Sequence, residues 1–321
     1  MGAPLVVVGW DGAGWPVVEP WMRDGRLPHL ARLCRDGVRA TVRSTLPVAT
    51  FPAWTSLVTG VNPGRHGVLD FTERIPGTMR LRFVNGSWRR TPAVWTLLGR
   101  ARRRVAVLSV PATYPPEAVS GLMVSGFDTP LTAAADGSFV HPRERWPEIR
   151  ALVGRLPFAD FQEVATGPGW HARALRSLLD GIERRARLAE TLLVRDAPDF
   201  LMLVFGESDT VAHHFWRFHD PQSPRFAPSP HADAVRTVYE ALDRALGRLV
   251  AAAGPGSTVC VVSDHGSAGA GDRVIHLNRR LAEAGLLRFR ASRSGVARAL
   301  RAAAVRAVPF RWQAPLLRRL P

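Results

Sequence analysis

The chain has 321 residues, 46% of them hydrophobic, so it can bury a sizeable core and intrinsic disorder is excluded as its default state. Its two cysteines, Cys34 and Cys260, are far apart and outside any CxxC pattern, which excludes a disulfide framework and a cysteine metal cluster. The net charge of +16 rests on arginine alone, since there is no lysine, and no RNP, zinc-finger or helix-turn-helix signal accompanies it, so no specific nucleic-acid partner is expected.

Met1 leads straight into the apolar run 4–9, without a basic segment or a small-residue cleavage site before it, and this run reads as a first strand. No apolar run approaches the ~18 residues of a membrane span, so a soluble, cytoplasmic chain is expected, of open oligomeric state. Short β-branched runs at 5–8, 38–42, 105–110, 122–124, 200–205 and 259–262 read as buried strands. Between them, 27–35, 91–102, 172–193 and 230–253 carry Leu, Val and Ala at helical spacing. Such alternation predicts an α/β fold, a mostly parallel sheet with helices on both faces. Residues 129–170, rich in Pro, Gly and aromatics and without clear period, read as a loop-rich cap beside a main domain over 1–287. The tail 288–321 holds nine arginines and no acid, and 296–308 has the pattern of a basic amphipathic surface helix.

Polar residues at the ends of three of these strands carry the chemistry. Asp11 follows the first strand in Val-Val-Val-Gly-Trp-Asp-Gly, at the carboxyl edge where open α/β sheets bind ligands, although an Asp before Gly is as commonly a turn former. Asp209 follows the run 200–205, and His213 comes four residues later, a spacing that puts both on one side of a helical turn and suits zinc or another transition metal. Asp264 and His265 close a third strand in Val-Val-Ser-Asp-His-Gly, where neither side chain helps to bury the sheet and metal ligation is the better reading. His214 and His219 read as ordinary polar residues. Thr50 stands before a helix start in the manner of an N-cap, a place that also holds phosphate through free backbone N–H groups.

The ordered set is longer than these residues. It comprises Asp11, Thr50-Phe51-Pro52, Thr59-Gly60, Pro63-Gly64-Arg65-His66-Gly67, Asp209 with His213, and Ser263-Asp264-His265-Gly266. In order and spacing it resembles the type I phosphodiesterase and nucleotide pyrophosphatase family of the alkaline phosphatase superfamily. Val110-Pro111-Ala112-Thr113-Tyr114-Pro115-Pro116 and Val124-Ser125-Gly126-Phe127 resemble one bacterial and archaeal branch of it.

The resemblance implies an alkaline phosphatase-like fold and two divalent metal ions, zinc by preference. Asp11, Asp264, His265 and the Thr50 oxygen would hold one, and Asp209, His213 and a further histidine the other. Thr50 would be the nucleophile that attacks a small-molecule phosphate ester and forms a phospho-threonine intermediate. The family's third histidine lies in a C-terminal segment that this chain is expected to lack, and His276 is the only histidine downstream of His265 that can replace it. Phe71 stands where the nucleotide pyrophosphatases carry a phosphate-binding Asn, so a nucleotide substrate is not implied. The alternative expectation is a catalytically impaired member that binds one metal or a phosphate ligand only.

Overall fold

A strand apolar on both faces must be covered twice, and this requirement organises the molecule. The structure is a computed structural model that describes residues 2–78, 80–130, 136–154 and 167–289. Its strands are β1 Leu5–Trp10, β2 Thr72–Arg74, β3 Leu81–Phe83, β4 Val105–Leu108, β5 Gly121–Val124, β6 Val140–His141, β7 Phe200–Phe205 and β8 Thr258–Val262. Six of them form one sheet in the order β6-β5-β4-β7-β1-β8, while β2 and β3 pair by themselves. All neighbours in the large sheet are parallel except β6, which runs antiparallel to β5 at the edge.

The pleat of β7 divides its side chains between two cores. Leu201, Leu203 and Phe205 join Val6, Val8 and Trp10 of β1 beneath the helices Trp170–Arg195 and Ala234–Ala253. Phe200, Met202 and Val204 face the other way, with Val105 and Val107 of β4, toward Trp54 of the helix Thr50–Thr59 and Trp95 of the helix Val94–Arg100. Each of these apolar side chains contributes roughly 1.5–3 kcal/mol on burial. The expected α/β architecture, a mostly parallel sheet covered on both faces, is the one observed.

Two stretches differ from expectation. Residues 38–42 form no strand: Val38 is 96% and Val42 81% exposed, and the backbone instead offers the Ala40 carbonyl to Trp15 Nε1 at 3.1 Å. β-branched residues alone do not make a strand where no ladder partner lies alongside. Residues 136–154, expected to be loop, form β6 and the helix Trp146–Val153, whose Trp146, Ile149 and Val153 enter the main core with Phe139. Brevity hides their period, since a strand of two residues and a helix of eight give little pattern to read.

The chain divides into two compact units, Met1–Gly271 and Asp272–Pro321. The first holds the sheet and every group of the candidate site. In the second, the helix Leu277–Glu283 is described, whereas residues 290–321, including the expected helix at 296–308, lie outside the described residues. No described helix is long and apolar enough to cross a membrane.

Candidate active site

The carboxyl ends of β1 and β8, adjacent and parallel, release Asp11 and Asp264 side by side. Asp11 is fixed by its backbone N–H, which donates to the Phe205 carbonyl at 3.0 Å, and by its own carbonyl, which accepts from Ser208 Oγ at 2.6 Å. Trp54 Nε1 donates to Asp11 Oδ2 at 3.1 Å. Asp264 Oδ1 accepts the Gly12 N–H at 3.1 Å, and Ser44 Oγ donates to the Asp264 carbonyl at 2.6 Å. Ser263 Oγ accepts from the Ala13 N–H at 2.9 Å and donates to the His265 carbonyl at 2.8 Å, which ties the third strand end to the first.

His265 completes the group. Its Nε2 lies 3.5 Å from Asp11 Oδ1 and 3.3 Å from Asp264 Oδ2, and ligand atoms of the three residues all fall within 4.8 Å of one another. Asp11 Oδ1 and Asp264 Oδ2 are buried and accept no hydrogen bond. Burial, and then repulsion from Asp264 and Asp209, hold the Asp11 carboxyl well above the usual carboxylate range; burial raises Asp264 as well. Two buried carboxylates with free oxygens and an adjacent imidazole are a costly arrangement by themselves, and the donor set fits a divalent cation.

Thr50 opens the helix Thr50–Thr59, but Ala49 is the capping residue and no side chain caps that end. The expected N-cap role is therefore corrected to the first helical position. The Thr50 hydroxyl faces His265 instead, with Oγ1 3.3 Å from Nε2. From the end of β7, the helix Glu207–His219 carries Asp209 and His213 on one face, as their four-residue spacing requires, with Asp209 Oδ2 3.1 Å from His213 Nε2. Gly12 sets their distance from the first group. Its φ of +66° suits glycine, and a Cβ there would lie 2.8 Å from Asp209 Oδ1. Asp209 and His213 have no third ligand residue in reach among the described residues. His276 belongs to the unit 272–321, where it is exposed and precedes the helix Leu277–Glu283.

All six residues expected in the first unit line, or in the case of Asp264 adjoin, one cavity of ≈ 490 Å³. Its walls also include Phe71, Phe127, Ser109, Ser177, Arg185 and Glu207. Arg185 and Glu207 form a buried ion pair, and Arg185 Nε donates to Ser109 Oγ at 3.2 Å. Burial pushes the Arg185 guanidinium down and the Glu207 carboxyl up, while each partner's charge opposes the shift of the other. Neither residue carries a signal in the sequence, beyond the position of Glu207 two residues before Asp209. Trp54, the partner of Asp11, reads in sequence only as an apolar helix residue. His66, in contrast, serves the frame: its Nδ1 accepts the Val68 N–H at 3.1 Å, so Nε2 is the protonated nitrogen that donates to Ser56 Oγ at 2.8 Å.

The family model for type I phosphodiesterase / nucleotide pyrophosphatase matches residues 5–314. This chain belongs to that family. Among solved structures, the family member is similar to phosphonoacetate hydrolase from Sinorhizobium meliloti in complex with phosphonoformate, at 20% identity and a TM-score of 0.59. It is similar to the same hydrolase in complex with phosphonoacetate at 20% identity and a TM-score of 0.54. Each alignment covers 88% of this chain and 62% of the hydrolase, so the family member spans less than two thirds of the length of these structures, and the likeness is one of fold. No curated protein matches in sequence.

Proposed function

We propose that this family member is a metal-dependent hydrolase of phosphate esters in which Thr50 is the nucleophile. The observation that carries the reading is the placement of the Thr50 hydroxyl 3.3 Å from His265 Nε2, beside two buried carboxylates whose free oxygens accept no hydrogen bond. Asp11, Asp264 and His265 would hold one divalent ion and Asp209 with His213 would contribute to a second, with zinc the natural choice for a mixed carboxylate and imidazole set. When bound, such ions supply positive charge that lowers the pKa of a neighbouring hydroxyl and neutralises phosphoryl oxygens.

The residues of the chain account for the rest. In the helix Thr50–Thr59 the Ala53 N–H is the first to bond back, to the Ala49 carbonyl, and Pro52 has no N–H, so the Thr50 and Phe51 N–H groups and the positive end of the dipole are what this end would offer a phosphoryl group at Thr50 Oγ1. Attack of Oγ1 on phosphorus forms a phospho-threonine as the bond to the departing alcohol breaks. The Thr50 proton is balanced by the one the alcohol gains, and water then hydrolyses the intermediate to regenerate Thr50. Because Thr50 takes no part in capping the helix, its replacement leaves the fold alone.

Thr50→Ala is therefore expected to lower turnover of bis(p-nitrophenyl) phosphate by about 10⁴-fold or more, with thermal unfolding unchanged within about 1 kcal/mol. Parent-like turnover in that variant would exclude Thr50 as the nucleophile. A second reading, a protein that holds one cation or a phosphate ligand without turnover, is favoured by one observation: Asp11, Asp264 and His265 are the sole group of three ligand residues among the described residues. Elemental analysis of the metal-reconstituted chain separates the two, since two ions with Thr50-dependent turnover support the hydrolase, and one ion without turnover supports the binding protein.

A further inference from the structure

The cavity at Thr50 extends beyond the space a phosphoryl group needs. At ≈ 490 Å³ it falls within the range of small-molecule pockets, roughly 300–1,000 Å³, and its lining goes beyond the metal-ligand candidates. The wall also includes the Arg185 and Glu207 pair, Ser109 and Ser177. Phe71 and Phe127, which cluster with Phe51 at ring-centroid distances of 4.5 to 6.4 Å, add an aromatic side.

The charges of this wall exclude two ligand chemistries. Arg185 is neutralised by Glu207, so the wall holds no net positive charge to attract an anion, and Glu207 is neutralised by Arg185, so a cation gains nothing there. One polar atom is nevertheless unpartnered. Glu207 Oε2 has no hydrogen-bond donor, although Glu207 is only 4% exposed, and a buried acceptor in that state favours any donor that reaches it. Gly181 leaves room for the paired oxygen of the same carboxylate, since a Cβ at that position would stand 2.6 Å from Glu207 Oε1. A neutral donor answers the need without disturbing the ion pair. Hydroxyl groups do so, and the C–H faces of the carbons that bear them suit an aromatic ring.

We propose that Glu207, Ser109 and Ser177, facing Phe71 and Phe127, form a subsite for the hydroxyl-bearing alcohol portion of the substrate, which makes the substrate class a polyol or sugar phosphate ester. The proposal rests on the reading of Thr50 as the reacting end of the cavity. Glu207 Oε2 accepts a ligand hydroxyl, the two serines exchange hydrogen bonds with its neighbours, and the phenyl rings cover the carbon skeleton. A site built to pair hydroxyls discriminates against the analogue that lacks them, because its own polar groups are then left bare.

The test gives the intact, metal-reconstituted chain p-nitrophenyl phosphodiesters that carry either a 2,3-dihydroxypropyl or an n-propyl group. The dihydroxypropyl ester is expected to have the higher kcat/KM by about tenfold or more, and the preference should vanish in the double variant Arg185→Met with Glu207→Leu, which removes the acceptor and leaves no unpaired charge. Equal kcat/KM for the two esters in the parent overturns the subsite while leaving Thr50-dependent hydrolysis standing. A measurement independent of turnover decides the case in which neither ester is hydrolysed or the double variant fails to fold. Saturation-transfer NMR on the parent with methyl glucoside or glycerol should show binding, and cyclohexanol or propanol should not compete. Absence of polyol binding, or equal binding of the alkanols, overturns the proposal whatever becomes of the hydrolase reading.

Discussion

Two buried pairs of charges serve the same cavity, and they are opposites. Asp11 and Asp264 are like-charged, each with an oxygen that accepts no hydrogen bond, and burial with repulsion raises the Asp11 carboxyl well above its usual range. Arg185 and Glu207 are oppositely charged, and their ion pair is anchored further by Ser109. The first pair is unstable as it stands and demands a cation from outside; the second is complete in charge and demands at most a neutral donor. A fold can bury charge in either way, but only the uncompensated way creates a strong binding site.

Predictions that test this contrast begin with the carboxylates. Asp264→Asn should weaken divalent-ion binding by more than about 100-fold, since loss even of an outer partner costs 10–100-fold, and turnover should fall with it. The same change removes the repulsion, so the metal-free variant is expected to melt above the metal-free parent, while added metal raises the melting temperature of the parent only. A metal-free variant less stable than the parent would mean that the carboxylates support the fold rather than strain it. Metal affinity of the parent should also fall as pH is lowered, because raised carboxyls take up protons that compete with the ion. Arg185→Met probes the other pair. It leaves Glu207 buried without a counter-charge and should cost about 3–5 kcal/mol in denaturant unfolding. Arg185→Met combined with Glu207→Leu should recover most of that, and failure to recover would show that the pair does more than neutralise itself.

The parts of the molecule differ in how far the sequence foretells them. The apolar runs of β1, β4, β7 and β8 are continuous enough to read as buried parallel strands, and a polar residue directly after such a run stands out, so Asp11, Asp264 and His265 are visible in the sequence alone. The four-residue spacing of Asp209 and His213 likewise foretells their shared helix face. Long-range partners leave no comparable trace. Trp54 reads as an apolar helix residue until its indole is seen to donate to Asp11 from 43 positions away, and Arg185 is one arginine among many until the fold sets it against Glu207. Runs can also mislead. Val38 and Val42 have strand composition but no neighbouring strand, and composition does not supply one.

Asp128 provides the smallest and most direct test, because the residue is half-buried with its Oδ1 closed off from solvent, and no ion pair compensates it among the described residues. Its Oδ2 accepts the Tyr114 N–H at 2.8 Å, while Oδ1 has no partner, and burial raises its pKa from 3.8 to about 6 despite the backbone hydrogen bonds that pull it down. Between those values the folded chain keeps the proton that the unfolded chain has lost, so the folded state binds more protons and stability falls as pH rises. The loss is complete about one unit above pH 6 and amounts in all to about 3 kcal/mol, because each pH unit between the two values is worth about 1.36 kcal/mol. Asp128→Asn retains an acceptor for Tyr114 and cannot ionise. Its unfolding free energy relative to the parent should therefore rise by about 2 kcal/mol from pH 4 to pH 6 and level off about one unit higher. A difference that does not vary with pH would mean that the backbone N–H groups offset the burial of Asp128 fully, and that this carboxylate, unlike Asp11 and Asp264, is held without strain.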